Sequence, residues 1–194
     1  MSSRPVIVGI GGTTRSGSST EKALRFALDA AAALGAETVL LGAADIDLPP
    51  YAPERPERTP EATRLVAELR RADGIIIASP GYHGGVSGLV KNALDYTEDM
   101  RGDERVYFDG CSVGCIVTAA GWQGTTTTLS ALRSIVHALR GWPTPLGVCI
   151  NSTEPAFASD GTCLSQCIAD QLELLAAQTV DFARARAANS RQAA

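Results

Sequence analysis

Between Gly11 and Thr20 the chain reads Gly-Gly-Thr-Thr-Arg-Ser-Gly-Ser-Ser-Thr, with six hydroxyl side chains in eight positions, one arginine and no lysine. A short apolar run, Val6–Ile10, precedes it, and a helical pattern follows. A helix start offers unpaired N–H groups and a partial positive charge, both suited to a phosphate. The hydroxyls of Thr13, Thr14, Ser16, Ser18, Ser19 and Thr20 can donate to its oxygens. A nucleotide-hydrolysing loop would carry Gly-Lys-Ser/Thr, yet the first lysine is Lys22, already inside the helix. A dinucleotide fingerprint needs a third glycine where Thr14 stands, and an acidic residue where Gly42-Ala43 end the second strand. A terminal monophosphate fits best. The plain alternative is an ordinary strand-to-helix turn in which Ser18 is only a cap.

A second chemically distinctive stretch runs Ser79-Pro80-Gly81-Tyr82-His83-Gly84-Gly85-Val86-Ser87-Gly88 into Leu89-Val90-Lys91-Asn92-Ala93-Leu94-Asp95-Tyr96. Glycines bare its backbone beside one phenol and one imidazole. Such a loop suits a flat heterocycle with a polar edge, which N–H groups can approach closely and an aromatic ring can contact. A third stretch, Thr118-Ala119-Ala120-Gly121-Trp122-Gln123-Gly124-Thr125, places an indole next to two glycines. Trp122 there reads equally as a ligand contact or as a core or interface aromatic. His137 falls inside a helical pattern with no second base nearby and is expected to be structural.

These stretches follow the first, third and fourth of five predicted strands. The strands are Val6–Ile10, Glu37–Leu41, Gly74–Ala78, Ser112–Ala119 and Pro145–Ile150. Helices are predicted from Ser18 to about Leu34, from Thr59 to about Ala72, over Gly88–Met100, from the Thr125–Thr128 run to Leu139, and from about Ser165 to Ala187. A proline-rich segment, Leu48 through Pro56, is expected to be irregular. The alternation predicts an α/β fold: a five-stranded parallel sheet with helices on both faces, in one domain over 1–187 with a flexible tail at 188–194. In such sheets a ligand binds beyond the carboxyl ends of the strands, where all three stretches fall.

Composition narrows the classes further. Apolar residues make up 45% of the chain and charged residues 20%, and the net charge is −4 with no basic run. Nucleic acid and anionic membranes are therefore not expected partners. No apolar stretch approaches a membrane span and no signal-peptide pattern opens the chain, so a soluble, cytoplasmic protein is expected. Cys111 and Cys115 would share one strand face, and Cys163 and Cys167 one helix face, all as thiols rather than metal ligands.

The second stretch resembles the flavin loop of the NADPH-dependent FMN reductase family, through Ser-Pro-x-Tyr-His-Gly-x-Val-Ser-Gly-x-x-Lys-Asn-Ala-Leu-Asp-Tyr. The first resembles that family's Gly-Ser-x-Arg-x-x-Ser-x-Asn phosphate loop, with similarity in element order over about residues 5–150. The resemblance implies a flavodoxin-like fold, with strand order 2-1-3-4-5, and FMN held by Thr13, Arg15, Ser18, Ser19 and Thr20 at its phosphate. It further implies that Pro80, Gly81, Tyr82, His83, Gly84, Gly85, Val86, Gly121 and Trp122 flank the ring. The implied activity is hydride transfer from NADPH or NADH to flavin N5, then on to a small-molecule acceptor or a partner monooxygenase, in a homodimer or homotetramer. Gly81 and His83 depart from the Glu and Asn common in the family, beside the flavin edge. A flavodoxin-type electron carrier without NAD(P)H turnover is the competing expectation; a regulatory nucleotide-binding domain is disfavoured by the missing lysine and glycine.

Overall fold

The computed structural model describes residues 4–192. Its elements in chain order are β1 (Val6–Gly11), α1 (Ser19–Ala33), β2 (Glu37–Leu41), α2 (Ala43–Ile46), α3 (Pro60–Arg71), β3 (Gly74–Tyr82), β4 (Gly85–Val86), α4 (Gly88–Asp95), β5 (Ser112–Ala119), α5 (Trp122–Ala138), β6 (Trp142–Asn151) and α6 (Gln166–Gln192). Five strands pair in parallel in the order β2-β1-β3-β5-β6. This is the parallel sheet the alternation predicted, in the flavodoxin-like order the resemblance implied.

Alternate residues of the central strands point to opposite layers. Val8, Ile10, Ile75 and Ile77 pack with α3, α4 and α5 through Leu65, Leu69, Leu94, Leu132 and Val136. Ile7, Ile76, Ile116, Val148 and Ile150 pack with α1 and α6 through Leu24, Leu28, Leu172, Leu175 and Val180. The near-continuous apolar strands are thus buried on both faces, as parallel strands require.

Several elements depart from the sequence expectation. β3 runs on to Tyr82 and turns tightly into the two-residue β4, with Tyr82 opposite Gly85. The turn residues His83 and Gly84 have φ of 53° and 80°, the two-residue hairpin that matches strand twist. β6 begins at Trp142, earlier than expected, because an edge strand tolerates Pro143 and Pro145, whose missing N–H groups need no partner there. The helix expected over Gly88–Met100 is α-helical only to Asp95 and continues as a 3-10 turn, Tyr96–Met100. Trp122–Gly124, expected in a loop, form the first turn of α5. The short α2 had no sequence signal. α6 reaches Gln192, past the expected end at Ala187, while residues 193 and 194 of the expected tail lie outside the described residues.

Cys111 and Cys115 do share one buried face, and burial pushes the Cys115 thiol up to about 12. Cys163 and Cys167 do not share a helix face: Cys163 precedes α6 and bridges to Phe157, and only Cys167 is helical. His137 is exposed on α5 rather than enclosed, and none of the observed hydrogen bonds involves its ring.

The proline-rich segment is irregular but firmly tied down. Asn92 donates from Nδ2 to the carbonyls of Leu48 and Pro49, both at 3.0 Å, and accepts from Tyr51 N at 2.8 Å. Tyr96 OH donates to Pro49 O at 2.9 Å. Arg58 grips Asp99 with two hydrogen bonds, 2.7 and 2.9 Å, while its guanidinium lies 5.0 Å from the Tyr51 ring centre. The Arg58 hydrogen bonds hold the Asp99 carboxyl below the usual carboxylate range. A lowered folded pKa stabilises the fold above the unfolded value, about 3.9, and that contribution disappears as pH falls through the folded value. Asp99→Asn is therefore expected to lower stability by about 1 kcal/mol at pH 7. In urea melts from pH 3 to 7 the gap between the two proteins should close below about pH 4; a gap constant with pH would remove the ion pair from the account.

Candidate functional site

Ser18 caps α1: its Oγ accepts from Glu21 N at 3.3 Å, and its carbonyl accepts from Lys22 N at 2.9 Å. Among the described residues, the N–H groups of Ser19 and Thr20 meet no acceptor, as expected for the first turn of a helix. Glu21 accepts from Gly17 N at 3.0 Å. Its charge is balanced by Arg25 at 2.8 Å, so the helix start keeps its positive end. The Thr20 and Thr118 hydroxyls share a buried hydrogen bond of 2.6 Å, which joins the first loop to the end of β5. Thr13 Oγ1 accepts from Arg15 N at 3.2 Å and donates to Arg15 O at 3.1 Å, which shapes the turn; among the described residues the exposed Arg15 guanidinium has no partner.

These groups open onto a cavity of about 260 Å3 beyond the carboxyl ends of the strands. Thr13, Arg15, Ser18, Ser19 and Thr20 line it from the first loop, Pro80, Gly81 and Tyr82 from the end of β3. Eight of the expected site residues therefore come together. Thr14 and Ser16 do not join them; they line a separate cavity with Glu21, Asp45 and Asp47, whose carboxylates would repel a phosphate. Thr118, Ala119, Ala120 and Ser152 complete the wall and were not singled out from the sequence. The available signal was position: each stands at or just past the end of β5 or β6, where such sheets bind ligands.

The second loop is built by Ser79, whose Oγ donates to Pro80 O at 2.8 Å and accepts from Ser87 N at 3.1 Å. Ser87 in turn caps α4 through Val90 N. Tyr82 stands 56% exposed at the cavity mouth. His83, Gly84, Gly85 and Val86 form the adjoining hairpin outside the cavity wall. Gly84 needs its positive φ, whereas a Cβ at Gly85 would meet nothing closer than 3.8 Å. Gly81 answers to a different neighbour from the one expected: a Cβ there would lie 2.6 Å from Thr128 Oγ1, so glycine allows β3 to pack on α5. Lys91 pairs with Asp95 at 2.5 Å, a local role.

The third loop depends on a residue the sequence reading passed over. Asn151 Oδ1 accepts from Gly121 N at 2.9 Å, from Thr153 N at 3.1 Å and from Thr153 Oγ1 at 2.9 Å. Gly121, with φ of 102°, then starts α5, whose first-turn N–H groups stand beside the site. Gly121 and Trp122 do not line the 260 Å3 cavity; Trp122, 63% exposed, borders a neighbouring one. Among the described residues no cluster of three or more His, Cys, Asp or Glu could hold a metal ion, and no helix is long and apolar enough to cross a membrane.

A parallel sheet that gathers a hydroxyl-rich helix start, a glycine hairpin and a second helix start at one edge defines a flavodoxin-like α/β protein with an anion-ready cleft. The chain belongs to the NADPH-dependent FMN reductase family, whose model matches residues 5–154. It is 36% identical over 98 residues to the FMN-dependent NADPH-azoreductase of Staphylococcus saprophyticus, a match covering 50% of this chain and 48% of the relative. The Staphylococcus aureus azoreductase is 34% identical over the same length. The chain thus matches about half the length of these curated relatives. In structure it resembles the flavoenzyme NAD(P)H:(acceptor) oxidoreductase FerB of Paracoccus denitrificans, with a TM-score of 0.76 at 22% identity over 94% of this chain and 98% of that one.

The Asn151 clamp yields a direct expectation. Asn151→Ala leaves three donors without their acceptor and should cost about 1–3 kcal/mol, whereas Asn151→Asp, which keeps the acceptor, should cost clearly less. Thermal melts of the two variants check this; equal losses would mean that the side chain matters by shape alone.

Proposed function

We propose that the chain is an FMN-dependent NAD(P)H oxidoreductase that holds the flavin phosphate at the start of α1 and the ring between the β3–β4 hairpin and the start of α5. The observation that carries this reading is the meeting in one cavity of donors that have no partner among the described residues, the Ser19 and Thr20 amides and the Arg15 guanidinium, beside the Thr13 hydroxyl that donates to Arg15 O. That donor set fits a phosphate monoester. The exposed Tyr82 ring and the glycine hairpin beside it fit a planar group with a polar edge. Family membership supports the same assignment.

When bound, FMN supplies a ring that takes hydride from NADPH or NADH and passes two electrons to an acceptor. The protein's own contribution is positioning and electrostatics. Arg15 and the α1 amides neutralise the phosphate, and the Thr20–Thr118 bond keeps that helix start in register with β5. Ser79 and Ser87 brace the hairpin beside the cleft and tie it to the start of α4. The first-turn amides of α5, set by Asn151, add positive potential where negative charge would gather on the ring edge. No side-chain nucleophile is required, and none is assigned. A small-molecule acceptor is the simplest partner; delivery to a monooxygenase, a homodimer or homotetramer, and a cytoplasmic address belong to the same reading.

Arg15→Ala should weaken FMN binding roughly 10- to 100-fold, the worth of one charge-assisted hydrogen bond of about 1.5–3 kcal/mol. Flavin fluorescence titration measures this, and unchanged affinity would take Arg15 out of the site. Steady-state NAD(P)H consumption with an acceptor panel, with and without added FMN, tests the activity. Turnover supports the reductase; tight FMN binding without any turnover would make the chain an electron carrier.

A further inference from the structure

Beside the proposed FMN cavity lies a second one of about 370 Å3, between the starts of α5 and α6. The two share a wall. Ala120 and Ser152 line the first, while their near neighbours Trp122 and Asn151 line the second, and the Asn151–Gly121 hydrogen bond makes that wall one unit. Its volume suits a one- or two-ring molecule. Trp122 presents its largely exposed indole there, with Pro155, Ala156 and Ile168 as further apolar surface. The Asn151 Nδ2 group has no partner among the described residues and is a donor suited to a carbonyl or azo nitrogen. Glu154 is the only charged residue among those lining the cavity, and it is exposed. Among the described residues no lysine or arginine lines the cavity; Arg133, which stands beside Gly147, donates to the Thr144 and Pro145 carbonyls instead.

We propose that this cavity is the acceptor subsite, and that it takes planar aromatic acceptors without negative charge, such as neutral quinones, and disfavours their sulfonated counterparts. The inference rests on the reductase reading above. The overall reaction balances as NAD(P)H + H+ + quinone → NAD(P)+ + hydroquinone, with both electrons passing through the bound flavin. Trp122 supplies the platform and Glu154 the charge discrimination. Two unit charges about 4 Å apart in water interact by an amount equal to roughly fivefold in a rate or binding constant, and reversing one charge roughly squares that factor.

The test uses the FMN-loaded protein with 1,4-naphthoquinone and 1,2-naphthoquinone-4-sulfonate as a neutral and an anionic probe. Two quantities are read: binding without reductant, from the change in the visible spectrum of the bound flavin, and reoxidation of the dithionite-reduced protein in a stopped-flow instrument. Glu154→Lys should tighten the sulfonate and speed its reaction by roughly 5- to 25-fold at low salt, leave the neutral quinone unchanged, and lose its effect at high salt. Trp122→Ala should weaken both probes about 3- to 10-fold. Glu104→Lys makes the same change of net charge beyond the opposite end of the sheet, before β5, and should do neither. Equal effects of Glu154→Lys and Glu104→Lys, or none from Glu154→Lys and Trp122→Ala, would overturn the subsite. Charge-dependent binding in a protein that never reduces a quinone would instead leave the subsite standing and overturn the reductase reading.

Discussion

The start of α1 depends on one constraint: helical N–H groups at an N-terminus have no partner within the helix. Ser18 satisfies Glu21 N, and its carbonyl satisfies Lys22 N, but Ser19 and Thr20 are left facing the cleft. Around that unmet need the surroundings are consistent. Arg25 pairs with Glu21, Thr20 is pinned to Thr118, and Arg15 is held by a Thr13 turn with its guanidinium unpaired among the described residues. Unpaired N–H groups at a helix start favour an anion there. The parallel sheet makes the arrangement possible, because every β-to-α connection that returns to it opens at the same edge.

The three loops are held from outside the cleft, which is why the cleft keeps its shape. Ser79 and Ser87 brace the hairpin, Thr128 packs against Gly81, and Asn151 fixes the turn into α5. Asn92 and Tyr96, from the helix that follows the hairpin, tie the proline-rich segment to the body of the protein. One helix thus serves both as the continuation of a site loop and as an anchor for the least regular part of the chain.

Much of this was legible in the sequence. Isoleucine runs such as Ile75–Ile77, bounded by glycine, read as strands buried on both faces, and Ser18 and Thr59 mark helix starts by chemistry that acts locally. The phosphate loop was legible for the same reason, since its residues are contiguous. What escaped was set by distant partners. Gly81 is explained by Thr128, the Gly121 turn by Asn151, and Thr20 by Thr118, pairs separated by 30 to almost 100 positions. The Cys163–Cys167 spacing suggested a shared helix face, but a bridge between Phe157 and Cys163 stops the helix from starting early enough. Edge placement decided β6, whose prolines would have excluded a central strand.

The central claim is that the start of α1 is a phosphate site and that the flavin is recognised there first. Riboflavin and FMN share the ring and differ by that phosphate, so titrating both against the apoprotein by flavin fluorescence isolates the contribution. Several charge-assisted hydrogen bonds of about 1.5–3 kcal/mol each predict FMN binding at least about a hundredfold tighter than riboflavin, with the advantage shrinking as inorganic phosphate is added. Equal affinity for the two, insensitive to phosphate, would contradict the account.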